Sequence, residues 1–280
     1  MSYKKVLTIQ DISCVGQCSL TVALPILSAA GMETCILPSA VLSTHTGGFS
    51  GFTFRDLTDD MPSIQKHWQK EGIKFSAIYT GYLGSTSQVD MVIDIKNTSL
   101  AEGGTLFVDP AMADGGKLYP AFDDEYVKAM VKLCSVADYI IPNITEACFL
   151  TGIEYKTEYD REYIFSLLYA LKKTGAKNVI LTGVSFKPET TGIMVLEDGK
   201  CQYYEHEFLK NSCHGTGDIY ASALVGAMVR GYNAYDAAKI AADFTVDAIR
   251  ETAGDASHWY GAKFEPVLGN YIAYLKEGET

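Results

Sequence analysis

The chain has 280 residues, 34 Asp and Glu against 23 Lys and Arg, a formal charge of −11 and 48% hydrophobic residues. A length of this order suits one large α/β domain that buries about three quarters of the unfolded chain's surface, so neither a disulfide framework nor a structural metal is needed to hold a core. The charge argues against a nucleic-acid partner, since no Lys/Arg cluster offsets the negative field, and no apolar run approaches the ~20 residues that cross a bilayer.

In chain order, the opening residues lead into an apolar run too short for the core of a signal peptide, so none is expected. Residues 6–9, 34–37, 75–79, 105–108, 139–141 and 178–181 read as strands, several of them near-continuously apolar, as in strands covered on both faces. Residues 20–30, 88–95 and 162–173 carry helical spacing, and the acidic run 158–162 reads as a solvated helix start. This alternation predicts a single α/β domain over residues 1–280, with a mostly parallel central sheet flanked by helices on both faces. Residues 43–60, with three glycines and three phenylalanines from Gly47 onward, predict a mobile substrate flap. Late in the chain, residues 192–196 and 201–208 flank Asp198-Gly199 and predict an antiparallel hairpin, followed by Ala-rich helices at 219–230 and 234–250. The seven cysteines are odd in number and lack paired Cys-x-x-Cys spacing, which fits a reducing cytosol and hence a cytoplasmic protein. Cys14 and Cys18, at i, i+4 spacing, read as packing residues, and Cys213 and His214, neighbours on extended backbone, point to opposite faces.

Polar residues fall where strands end. Asp11 and Ser13, then Ser43-Thr44-His45-Thr46, Thr80 with Tyr82, Asp109, Asn143 and Thr182 each follow a predicted strand, and in parallel α/β sheets ligands sit beyond the carboxyl ends of the strands. The segment from Asn211 through Gly215-Thr216-Gly217-Asp218 opens a helix. Its glycines permit a tight turn with consecutive N–H groups facing outward, which suits an anion. The same four residues are also an ordinary helix start, with an acid favoured near the N-cap. With a carboxylate beside the amides, the turn suits phosphoryl transfer to an alcohol, and no Walker-type Gly-x-x-x-x-Gly-Lys-Ser/Thr motif offers a rival phosphate site.

The turn resembles the anion hole of the ribokinase superfamily, and Asn143-Ile144-Thr145-Glu146 resembles its Asn-x-x-Glu motif. Leu7-Thr8-Ile9-Gln10, Ser43-Thr44-His45-Thr46-Gly47 with Thr80-Gly81-Tyr82, and Val108-Asp109-Pro110-Ala111-Met112-Ala113-Asp114 are similar to pyridoxal kinases. The resemblance covers nearly the whole chain. It implies ATP-dependent phosphorylation of the 5′-hydroxymethyl group of a B6 vitamer, with Asp218 as base and Gly215, Thr216 and Gly217 as the anion hole. It further implies Asp109 and Glu146 as organisers of Mg²⁺, largely through water, and Asn143, Thr182 and Gly183 at the triphosphate. The hairpin and the helix at 234–250 would flank the adenine, and Asp11, Ser13, His45, Thr46 and Tyr82 would line the substrate pocket of a homodimeric enzyme. Two departures stand out. Asp11-Ile12-Ser13 replaces the family's usual Ser-His, and an acid there would favour a charged ring or the amine of pyridoxamine. His214-Gly215-Thr216-Gly217 resembles hydroxymethylpyrimidine kinases, which commonly carry Cys where this chain has Asp218. A hydroxymethylpyrimidine or sugar kinase of the same fold, and a vitamer- or nucleotide-binding protein without catalysis, are the alternatives. The presence of Asp218, Asp109 and Glu146 argues against the last.

Overall fold

The computed structural model describes residues 3–210 and 213–277. Strands β1 (Lys5–Ser13), β2 (Glu33–Leu42), β3 (Phe54–Asp56), β4 (Phe75–Thr80), β5 (Leu100–Val108), β6 (Ala113–Asp114), β7 (Lys117–Leu118), β8 (Tyr139–Ile140), β9 (Asn178–Leu181), β10 (Thr190–Glu197) and β11 (Lys200–Glu207) interleave with the helices. These are α1 (Leu20–Ala29), α2 (Met61–Lys70), α3 (Thr86–Ser99), α4 (Asp124–Ser135), α5 (Ile144–Thr151), α6 (Arg161–Lys173), α7 (Thr216–Arg230), α8 (Ala234–Thr252) and α9 (Leu268–Glu277).

The central sheet has nine strands in the order β11-β10-β9-β8-β5-β4-β1-β2-β3. From β9 to β2 every pairing is parallel, while β3, β10 and β11 run antiparallel at the two edges. Side-chain alternation divides the apolar residues between two cores. Leu7, Ile78, Leu106 and Val108 face one side under α2 to α6, whereas Val6, Ala77, Tyr79 and Phe107 face α1 and α7 to α9. On that second side, alanines at 221, 223 and 227 of α7 and at 237, 238, 241 and 242 of α8 let the two helices approach closely.

The expected hairpin forms as β10–β11. Its Asp198-Gly199 turn has φ of 49° and 78°, the left-handed pair that a type I′ turn requires. A further two-stranded hairpin, β6–β7, was not expected, since two-residue strands are too short to show a periodicity. The second strand runs on through Pro38, past the predicted end. The β1–β2 register shifts between Gln10 and Ile12, opposite Pro38 to Val41, so an irregularity absorbs the residue that has no N–H to give. The predicted flap is loop only in its first part. Its end forms β3 against β2, and its base is closed by Ser43 N–H donating to Thr53 O at 3.2 Å and Thr53 N–H donating to Ser43 Oγ at 2.9 Å. Cys14 and Cys18 lie in the loop before α1 and not on a helix, and Cys14 is exposed, which corrects the packing reading for that residue. His214 sits in a turn with Gly215 and not on a strand, and Cys213 before it belongs to no regular element. The acidic run is a helix start as expected, with Asp160 accepting from Tyr163 N–H at 2.9 Å at the head of α6.

Candidate active site

The chain passes from β1 to β2 on one side and returns to β4 on the other, so the sheet's topological switch lies at β1. A crevice opens there beyond the carboxyl ends of the strands. Asp11 and Ser13 end β1, both buried, and Ser13 Oγ donates to Asp11 Oδ2 at 2.9 Å. Burial lifts the Asp11 carboxyl above its ordinary value, and the Ser19 and Ser13 hydroxyls oppose that lift. Gly81 N–H donates to Ile9 O at 3.2 Å and Asp109 N–H to Thr80 O at 3.0 Å, so the ends of β1, β4 and β5 are tied in sequence. Asn143 and Thr182 form a parallel bridge beyond β8 and β9.

The glycine-rich turn closes this crevice. Asn211 and Ser212, at its start, lie outside the described residues. Gly215 has φ +77°, and a Cβ on it would stand 1.7 Å from the Gln17 carbonyl oxygen, so neither the conformation nor the space admits a side chain. A Cβ on Gly217 would meet nothing within 4 Å. No described side chain caps α7, which leaves its first-turn N–H groups facing the crevice. Asp218, in that first turn, keeps part of its surface open yet is enclosed on most sides. Enclosure pushes its carboxyl up to about 7, with Asp11 adding repulsion and the Ser19 backbone N–H opposing it. That places a base near neutral pH beside open amides.

Asn143 and Glu146 make a reciprocal capping box at the head of α5. Glu146 N–H donates to Asn143 Oδ1 at 2.9 Å and Asn143 N–H to Glu146 Oε2 at 2.8 Å, while Met112 N–H donates to Glu146 Oε1 at 3.1 Å. Asn143 Nδ2 donates to Ala113 O at 2.9 Å. Burial raises the Glu146 carboxyl to about 7 although these amides oppose it, and burial together with Glu146 and Asp218 raises Asp109 well above the usual carboxylate range. Both Glu146 oxygens are committed to amides, and among the described residues no group of three or more His, Cys, Asp or Glu is placed to hold a metal ion directly. The donor set therefore fits an ion that keeps most of its water, such as Mg²⁺, and not a dehydrated cage.

The substrate-side residues divide. Tyr82 is half-buried with its ring 5.3 Å from Phe122, and burial followed by Asp11 and Asp56 raises its phenol. Thr46 is exposed on the flap. His45 is buried and its nitrogens are both used internally: Nε2 donates to Tyr260 O at 2.6 Å and Nδ1 accepts from Gly47 N–H at 3.1 Å. His45 thus holds the flap's shape. Thr182 Oγ1 donates to Pro142 O at 3.3 Å, and Gly183, at φ +72°, is exposed and receives the Tyr159 hydroxyl on its carbonyl at 3.3 Å. His214 lies 5.1 Å from the His45 ring, and partial burial with that neighbour lowers its pKa.

Sequence reasoning missed Tyr119 and Tyr79. Tyr119 follows the β6–β7 hairpin, and its phenol is pushed up by burial and then by Glu146, Asp109, Asp114 and Asp218, so it lies near the carboxylates on the α5 and α7 side of the crevice. Tyr79 lies buried beneath Asp109 and Asp218, beside Ser222 and Gln10, and its phenol is raised well above its ordinary value by burial and by those two carboxylates. The Gly115-Gly116 pair was the available signal for the first; an apolar run hid the second.

A doubly covered parallel sheet with an enclosed carboxylate in the first turn of a glycine-led helix at the switch point fits a ribokinase-like small-molecule kinase. The family model for phosphomethylpyrimidine kinase matches residues 26–263, and the chain belongs to that family. It is an ATP-dependent phosphotransferase acting on an alcohol. Among solved structures it is similar to a protein of Bacteroides thetaiotaomicron, provisionally named a phosphomethylpyrimidine kinase, in an orthorhombic form with pyridoxal. Identity is 37%, TM-score 0.91, and 96% of each chain is covered. It is also similar to the pyridoxal kinase of Lactobacillus plantarum, at 32% identity, TM-score 0.90 and 99% of each chain. Among curated relatives, the hydroxymethylpyrimidine/phosphomethylpyrimidine kinase of Haemophilus influenzae is 29% identical over 91% of this chain and 97% of its own length. Among the described residues no helix is long and apolar enough to cross a membrane.

Proposed function

We propose that the chain transfers the γ-phosphoryl group of ATP to the 5′-hydroxymethyl of a B6 vitamer. The observation that carries the chemistry is Asp218, a base near neutrality at the start of α7, which no described side chain caps. The vitamer is supported by the pyridoxal present with the Bacteroides thetaiotaomicron homologue and by the recess of Asp11, Ser13 and Tyr82 at the switch point. Asp218 orients the alcohol and accepts its proton, and the amides of Gly215, Thr216 and Gly217 stabilise the equatorial charge of the transferring group. Phosphoryl transfer has a loose transition state, so positioning and charge stabilisation supply most of the rate. Asp109 and Glu146 would hold Mg²⁺, largely through its water, and the ion would supply charge neutralisation for the phosphates. Asn143, Thr182 and Gly183 would receive the triphosphate. The adenine would lie by the β10–β11 hairpin and α8, where a groove of about 300 Å³ is lined by His206, Glu207, Asp243 and Arg250. Flap residues 43–53 close over the acceptor to exclude water. The enzyme works as a homodimer in the cytoplasm, where its cysteines, all free, stay reduced.

The second reading is a hydroxymethylpyrimidine kinase, favoured by the matched family and by His214 before the turn. An ADP-release assay across pyridoxal, pyridoxamine, pyridoxine, hydroxymethylpyrimidine and ribose separates them. Higher kcat/KM for hydroxymethylpyrimidine overturns the vitamer assignment, and silence with every alcohol overturns the kinase mechanism.

A further inference from the structure

Residues 253–267 join α8 to α9, and their middle part, 256–265, touches both the flap and the glycine-rich turn. They are fixed to the body of the fold. Ala262 and Phe264 are buried in the second core, Lys263 N–H donates to Thr252 Oγ1 at 2.7 Å, and Lys263 pairs with Asp255. From this anchored base, the side facing the crevice touches the flap. Trp259 lies 4.7 Å, centroid to centroid, from Phe49, and a Cβ on Gly48 would stand 2.8 Å from the Trp259 ring. The Tyr260 carbonyl takes the His45 Nε2–H at 2.6 Å. The same segment touches the turn. Ala262 N–H donates to His214 O at 3.1 Å, and His258 Nε2 donates to Gln17 Oε1 at 3.0 Å. Gln17 in turn donates from Nε2 to Glu265 Oε1 at 3.2 Å, and its carbonyl is the atom against which Gly215 packs. Trp259 remains 48% exposed, so its place is not set by core burial; its partners are the flap's glycine and phenylalanine.

We infer that the 258–262 segment is a fixed buttress that holds the flap over the acceptor alcohol in register with the Gly215–Asp218 turn, with Trp259 and His258 as its positioning residues. The inference rests on the kinase reading above for its kinetic consequence and on geometry alone for its structural one. A flap that leans on Trp259 loses its closed position when the indole is removed. The acceptor is then held less well, water enters, and phosphoryl transfer leaks to hydrolysis, while ATP, bound on the other side of the turn, is held as before.

The test compares wild type, Trp259→Ala and Trp259→Phe as full-length chains. The expected result for Trp259→Ala is an acceptor KM raised about tenfold, the size of one aromatic contact of roughly 1.4 kcal/mol, with ATP KM within about twofold and more ATP hydrolysed per alcohol phosphorylated. Trp259→Phe should recover most of the coupling. Hydrogen exchange gives a readout that needs no turnover. In Trp259→Ala the amides of residues 45–49, including the Gly47 N–H held by His45, should exchange faster, and those of residues 213–218 should follow, with β4 unchanged as the control for folding. Unchanged exchange in both segments overturns the buttress, as does an unchanged acceptor KM in a chain that transfers phosphate. A wild-type chain that phosphorylates none of the alcohols overturns the kinase reading instead, and the exchange result then decides the buttress by itself.

Discussion

Replacing Asp218 by Asn separates what the carboxylate does for catalysis from what it costs the fold. A general base contributes about 10²–10⁴ in rate, so if Asp218 has the proposed role Asp218→Asn should lower kcat by that factor, roughly 3–5 kcal/mol, with ATP affinity little changed. The wild-type kcat should fall on the acid side of about pH 7 as Asp218 takes up a proton, and the variant should lose the part of that limb due to Asp218, leaving the part due to Glu146 and Asp109. Stability should move the other way. The lift from 3.8 to about 7 corresponds to at most about 4 kcal/mol, and since the group stays partly open to solvent we expect about 1–2 kcal/mol. The folded state binds this proton more tightly than the unfolded chain, so the charged carboxylate costs nothing below the unfolded value near 4. Its cost grows as pH rises and is complete above about 7. At pH 8 the Asn variant should therefore melt about 2–5 °C higher than wild type, and at pH 4 the difference should vanish. Stopped-time ADP release and thermal melts at both pH values measure the two halves. A variant within a few-fold of wild-type kcat, or one that melts lower at pH 8, refutes the assignment of Asp218 as an enclosed base.

Asp11 repels the Asp218 carboxylate, so Asp11→Asn should shift the acid limb of the kcat profile to lower pH, and a limb that stays in place removes Asp11 from the base's surroundings. If Asp11 favours an amine or a charged ring, the same variant should lower kcat/KM for pyridoxamine more than for pyridoxal. Equal changes would count against that preference. Gly215→Ala should destabilise by about 2–4 kcal/mol in denaturant melts, because it adds a Cβ against the Gln17 carbonyl at positive φ, whereas Gly217→Ala should melt within about 0.5 kcal/mol of wild type. Any loss of kcat in Gly217→Ala then reports the phosphate position and not the fold. Glu146→Gln turns one acceptor toward a backbone N–H as a donor, and should cost about 1–3 kcal/mol while raising the Mg²⁺ needed for half-maximal rate about tenfold in a metal titration.

The parallel sheet was legible because β1, β4 and β9 are covered on both faces, and their apolar runs need no tertiary information to be read as strands. Helices α2, α4, α5 and α9 went unread, although Tyr126, Met130, Leu133 and Cys134 give α4 plain helical spacing. The capping box at Asn143 and Glu146 was visible as Asn-x-x-Glu, but a motif does not say where its oxygens go. Both carboxylate oxygens of Glu146 serve backbone amides, so the residue that looks like a metal ligand is first a brace for the 112–113 backbone. His45 shows the same limit. Its place in Ser43-Thr44-His45-Thr46 suggests contact with substrate, while Tyr260, more than two hundred residues further on, takes its Nε2 proton.

Specificity follows from what holds the crevice's two sides in register. The anion hole and Asp218 belong to α7, the acceptor recess to the ends of β1 and β4, and nothing local in sequence relates them. Gln17 and the Tyr260 carbonyl do so through space, one against Gly215 and the other on His45. His214 stands at the same junction, 5.1 Å from the His45 ring. Its ring packs against Gly47, where a Cβ would approach it to 2.7 Å, so a change of volume at His214 should be felt by the 45–49 backbone.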